Sequence, residues 1–65
     1  MAGLASNVRE LRQRAGLACR ELDRRAGLAE GHTALIEAGN RRNVQLDTLR
    51  RLATALNVTL TDLTK

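Results

Sequence analysis

Sixty-five residues, with ten arginines and one lysine against seven acids, make a small chain of formal charge +4 that has no proline, no aromatic residue and one cysteine. That length allows a single domain, 1–65, which buries only about 60% of the surface its unfolded form exposes. Cys19 has no second thiol to pair with, so no internal disulfide supports the fold, and helix packing, dimerisation or both must do so.

No apolar run approaches the roughly 18 residues of a membrane span. A lone thiol without a signal-peptide pattern points to a reducing cytoplasm. β-branched and aromatic residues are scarce, which favours helix over sheet. Leu4, Val8, Leu11 and Ala15 repeat on one helix face and predict a first helix over 3–15, closed by Gly16. The phrase "RAGLA" stands at 14–18 and again at 25–29. In each copy the glycine tolerates the left-handed conformation that ends a helix, and the next residue, Leu17 or Leu28, supplies the apolar contact just beyond such an end. The repeat is therefore punctuation, and its second copy closes a helix over 19–26. A third helix covers 30–38, before Gly39. A fourth covers 46–56, with an apolar stripe of Leu46, Leu49, Leu52, Ala53 and Leu56, and ends at Asn57 and Val58. Thr59 and Asp62 form a capping-box-like start for a fifth helix over 60–63.

The second and third helices, joined by "GLA", have the form of a helix-turn-helix unit. Leu22, Ala26, Leu28 and Ile36 are spaced to face one core. The outer face of the third helix is then Glu30, Gly31, Ala34 and the larger Leu35, with Glu30 in a first turn whose dipole favours a carboxylate.

The stretches "VRELRQRAGL", "REL" before Gly27, "LIEAG", "RRNVQLDTLRRLATAL" and "NVTLTDL" together resemble the lambda-repressor-like (Cro-type, XRE-like) helix-turn-helix family over about 4–63, in a form similar to short phage repressors and restriction–modification controllers. The resemblance implies an all-α, compact five-helix domain that binds operator DNA as a homodimer. It places the third helix in the major groove, with the start of the second helix (Cys19, Arg20) and the segment after the third (Asn40, Arg41, Arg42, Asn43) on phosphates. By position, Arg12 and Glu37 match a pair that forms an internal salt bridge in the family. This chain departs from the family pattern at several places. Cys19 replaces a common Gln, Ala18 a Ser or Thr cap, Asp23 a small Ala, Thr33 a core Ile or Val, and Val44 a common Pro; Asn40 lengthens the loop. A buried Asp23 requires a partner, and Arg20 and Arg24 are the near ones in sequence.

No Lys or Arg occurs between Ala26 and Asn40, so basic charge brackets the third helix rather than lying on it. Phosphate contacts position a protein while base contacts specify the sequence. Glu30 can accept from cytosine N4, and Ala34 and Leu35 can meet thymine methyls. His32 can donate to a base or phosphate, and Gly31 completes the set. One Cys and one His give no metal-ligand spacing. No catalytic set is legible and no cofactor is implied.

The expected partners are double-stranded DNA and a second copy of the chain, with Leu56, Val58, Leu60 and Leu63 forming the dimer seam or completing the core. The expected role is that of a transcriptional regulator, a repressor on a palindromic operator, in a bacterial or phage-encoded cytoplasmic protein. The competing reading is a protein-interaction module on the same fold, such as an antitoxin or adaptor subunit. A fragment of a longer regulator is a third.

Overall fold

The computed structural model describes residues 3–39 and 44–65. Its secondary structure, among the described residues, is wholly helical: α1 (Leu4–Arg14), α2 (Cys19–Ala26), α3 (His32–Glu37), α4 (Leu46–Leu56) and α5 (Leu60–Thr64). α1 packs on α3 and α5, α2 on α3 and α4, and α4 on α5. Every helix thus turns its apolar side to one centre, built from Val8, Leu17, Leu22, Ala26, Ile36, Leu52, Ala53, Leu56 and Leu63. Leu4, Leu11, Leu28, Val44, Ala55 and Val58 close its rim.

Three of the helix ends share one closure. After α1, α2 and α4 the chain takes a left-handed residue, Gly16, Gly27 or Asn57. The next residue donates its N–H back five positions: Leu17 to the Arg12 carbonyl at 3.1 Å, Leu28 to Asp23 at 2.8 Å and Val58 to Ala53 at 3.0 Å. These are Schellman closures, which satisfy carbonyls that the helix itself leaves unpaired while sending an apolar side chain inward. At the opposite kind of end, Thr59 and Asp62 form both halves of a capping box, at 3.0 and 3.1 Å. The bonds from the backbone and hydroxyl of Thr59 hold the Asp62 carboxyl below the usual carboxylate range. Ala18 has no side-chain acceptor for α2, so only the reciprocal half of the box exists there: the Ala18 N–H donates to Glu21 Oε1 at 3.0 Å.

Polar groups also tie the core. Asn7 is buried in α1 and its Nδ2 donates to the carbonyls of Leu63 (2.8 Å) and Lys65 (3.0 Å), fastening α1 to the end of α5.

Three details differ from the sequence expectations, and a fourth falls on one of two alternatives they left open. Ala15 is exposed, because the helical turn is already closing where the apolar spacing would carry it inward. Leu46 is 51% exposed, since it opens α4 at the rim of the molecule. Leu56 and Leu63 lie in the core, the latter fully buried, which leaves Val58 and Leu60 as the half-buried members of the suggested dimer seam. Finally, α3 begins at His32, two residues later than the predicted start; Asp23 is the cause, as shown below.

Candidate nucleic-acid interface

The candidate interface is built on the α2–turn–α3 unit. Gly27 adopts φ 69° and turns the chain out of α2. Leu28 packs on the core rim, and Gly31, at φ 90°, serves as the N-cap of α3. A side chain at Gly31 would be strained in that left-handed conformation. Within α3, Thr33, Ile36 and Glu37 face inward. Ala34 and Leu35 face solvent, Leu35 being 46% exposed, and His32 is half-buried. The outward side of α3 is therefore short, neutral and largely apolar.

Gly31 has no side chain with which to cap α3. Asp23 on α2 does so from across the turn. Its Oδ2 accepts the Gly31 N–H at 2.9 Å, and its Oδ1 accepts both the Thr33 N–H at 2.8 Å and the Thr33 hydroxyl at 2.5 Å. Asp23 is 2% exposed and Thr33 is fully buried. The expectation that Arg20 or Arg24 partners Asp23 is thus corrected: its partners are two backbone N–H groups and a hydroxyl. The late start of α3 follows, because the carboxylate captures the chain at Gly31 and Thr33 and leaves Glu30 and Gly31 in the turn. Glu30 is consequently not in the first turn of α3 and gains nothing from its dipole. It forms an exposed ion pair with Arg20, Nε to Oε1 at 3.1 Å. Arg20, Arg24, Leu28, Glu30 and the edge of Asp23 line a shallow hollow of about 140 Å³ beside the start of α3.

The far end of α3 rests on a second carboxylate. Arg12 forms a forked pair with Glu37, Nε to Oε2 at 2.6 Å and Nη2 to Oε1 at 3.0 Å, while its Nη1 donates to the Leu17 carbonyl at 2.7 Å. Arg9 adds Nε to Glu37 Oε1 at 3.4 Å and Nη2 to the Glu37 carbonyl at 3.2 Å. Burial pushes the Glu37 carboxyl up, but the hydrogen bonds and charge of Arg12, helped by Arg9 and Cys19, outweigh it and hold the group below the usual carboxylate range. The Cys19 thiol points into this cluster, with Sγ 3.6 Å from Glu37 Oε2. Burial and the nearby Glu37 charge push that thiol up, so it stays protonated and is a poor nucleophile. The thiol is thus engaged with Glu37 rather than free at the surface.

Arg20 and Glu30 pair beside the start of α3, Gly31 and His32 form that start, Ala34 and Leu35 are exposed along α3, and Cys19 meets Glu37. Arg12 and Glu37 form the ion pair that the resemblance implies. Asn40, Arg41, Arg42 and Asn43 fall outside the described residues. Arg9 is exposed yet reaches Glu37; no local pattern marks a contact between residues 28 positions apart. Arg24 lines the same hollow as Arg20, a placement that their i, i+4 spacing signals.

Among the described residues, no group of three or more His, Cys, Asp or Glu side chains could hold a metal ion. No helix of the described residues is long and apolar enough to cross a membrane.

Residues 4–64 match a family model described as a helix-turn-helix domain. Among solved structures, the chain is similar to the restriction–modification controller protein C.AhdI from Aeromonas hydrophila, with a TM-score of 0.87 and 35% identity over 92% of this chain and 89% of that one. It shares a fold with SinR, the master regulator for biofilm formation, solved in complex with DNA; the TM-score is 0.87 at 23% identity, covering 92% of this chain and 95% of SinR. No curated protein sequence matches the chain.

Proposed function

This chain belongs to the helix-turn-helix domain family, and we propose from that membership that it regulates transcription by binding double-stranded DNA sequence-specifically. The observation that carries this reading is the outward side of α3: Ala34 and Leu35 are exposed, His32 is half-exposed, and Arg20 stands at the flank. A short apolar face suits close approach to base edges and thymine methyls, while arginine beside it suits phosphate. Arg41 and Arg42, outside the described residues, are the further phosphate candidates that the resemblance implies. Glu30 would leave Arg20 to accept from cytosine N4, or remain as its counter-charge.

The finer proposal is a repressor acting as a homodimer on a palindromic operator in the cytoplasm, with the 65 residues forming one domain. The described residues extend at most 27 Å, shorter than the roughly 34 Å turn that separates half-sites. On an operator of that kind, one copy would cover one half-site and a second copy the next. Val58 and Leu60 are the candidate seam. The bound dimer acts by occupancy and does no chemistry on DNA.

Selection of bound duplexes from a random pool, followed by affinity measurements against salt, tests this reading. The expected result is an enriched palindromic sequence and a log–log salt slope of about −0.9 per phosphate contact. Arg20→Ala should reduce the slope by about one unit and weaken all sequences alike, whereas Leu35→Ala should alter the preferred sequence. No enrichment, with no salt dependence, would favour the second reading, a protein-interaction module with exposed Leu35 as its anchor.

A further inference from the structure

We propose that Asp23 is the positioning residue of the reading helix, setting through Thr33 and Gly31 which side of α3 is turned toward DNA. This inference rests on the DNA-binding reading above.

α3 has six residues, fewer than two turns. A helix that short has no independent stability, so its place depends on what holds its ends. Its own N-cap offers no side-chain acceptor, and the N–H groups of its first turn must find partners elsewhere. Asp23 supplies them, accepting from Gly31 N–H, Thr33 N–H and Thr33 Oγ1. The backbone carbonyl of the same residue accepts the Leu28 N–H at 2.8 Å, which closes α2. One residue thus ties both ends of the turn, and the start of α3 is fixed relative to α2. A slip of that start by one residue would rotate the face of α3 by roughly 100° and replace Ala34 and Leu35 by different side chains. The Arg12–Glu37 cluster holds only the far end of α3, so the chain can stay folded while the near end loosens.

The test uses the full chain with Asp23→Asn, Thr33→Val and Thr33→Ser. The readouts are random-pool selection, the ratio of specific to non-specific DNA affinity, and amide hydrogen exchange in the absence of DNA. Asp23→Asn and Thr33→Val should remain helical and keep the parental non-specific salt slope. Their specificity ratio should fall by about tenfold, the scale of one lost base contact, and the Gly31 and Thr33 amides should exchange faster. Thr33→Ser, which keeps the hydroxyl, should retain the parental ratio. If Asp23→Asn does not fold, Thr33→Val decides the matter. A parental preference that survives in the folded variants, or unchanged Gly31 and Thr33 exchange, overturns the positioning role alone. A parent with no sequence preference overturns the DNA reading, and this inference with it.

Discussion

The two ends of α3 are each held by a buried carboxylate, and they are held differently. At the C-terminal end, Glu37 is satisfied by the guanidinium groups of Arg12 and Arg9. At the N-terminal end, Asp23 is satisfied by backbone N–H groups and one hydroxyl, without any cation. Among the described residues no buried side-chain nitrogen or oxygen lacks a partner, so both solutions are complete. The difference lies in what each partner can do. An ion pair fixes a point of contact between two side chains. A carboxylate bonded to the N–H groups of Gly31 and Thr33 fixes backbone, and hence the start and rotation of the helix. The first holds α3 to the core; the second aims it.

Removing one partner from each end sharpens that contrast. Arg12→Ala should have the largest effect, about 3–5 kcal/mol, because it removes the forked partner of a buried carboxylate and leaves it only the long bond from Arg9. A 65-residue chain has only about 3–10 kcal/mol to lose, so urea unfolding should find this variant largely unfolded. Asp23→Ala should cost about 2–3 kcal/mol, the scale of leaving buried donors unpaired. Combining it with Thr33→Ile should recover part of that loss, since the hydroxyl disappears while the Gly31 and Thr33-position N–H groups remain uncapped. If Asp23→Ala proved the more damaging of the two single changes, the division between holding and aiming would break.

Acid provides a subtler test. Glu37 is held below its ordinary value, so its contribution is complete above the unfolded value of about 4.3 and is lost as pH falls through the lower folded value. Asp62 is shifted in the same direction and adds the same sign. The urea midpoint should therefore be flat above about pH 5 and fall as pH drops through the carboxylate range, with a shallower fall in Glu37→Gln. A midpoint that rises on acidification would contradict the ion-pair account. The smallest expected effect is a gain: Ala18→Ser supplies the cap that α2 lacks and should raise stability by roughly 1 kcal/mol in thermal or urea unfolding.

The same contrast explains what could be read in the sequence. Helix ends were legible because they depend on local chemistry. Gly16, Gly27 and Asn57 each stop a helix, and the residue after each goes inward. The pairing of Arg12 with Glu37 was available only through resemblance, since 25 positions separate them. The partner of Asp23 was not legible, because side-chain spacing carries no information about which distant N–H groups a carboxylate will meet. Proximity in sequence pointed to arginines that the fold leaves outside. The start of α3 was misplaced for the same reason: Glu30 reads as a first-turn acid until Asp23 captures Gly31 and Thr33. Leu56 and Leu63 show a third limit. An apolar residue near the end of a small helical chain suits a core or a seam equally well, and only packing distinguishes them.

The central claim is that the outward side of α3 meets DNA. The most direct measurement is an amide chemical-shift titration of the full chain with a duplex taken from the random-pool selection. The account predicts the largest changes at Arg20 and across Glu30 to Leu35, with little change at Arg50 and Thr54 on α4. Changes concentrated at Arg25, Arg50 and Thr54, with α3 silent, would contradict it.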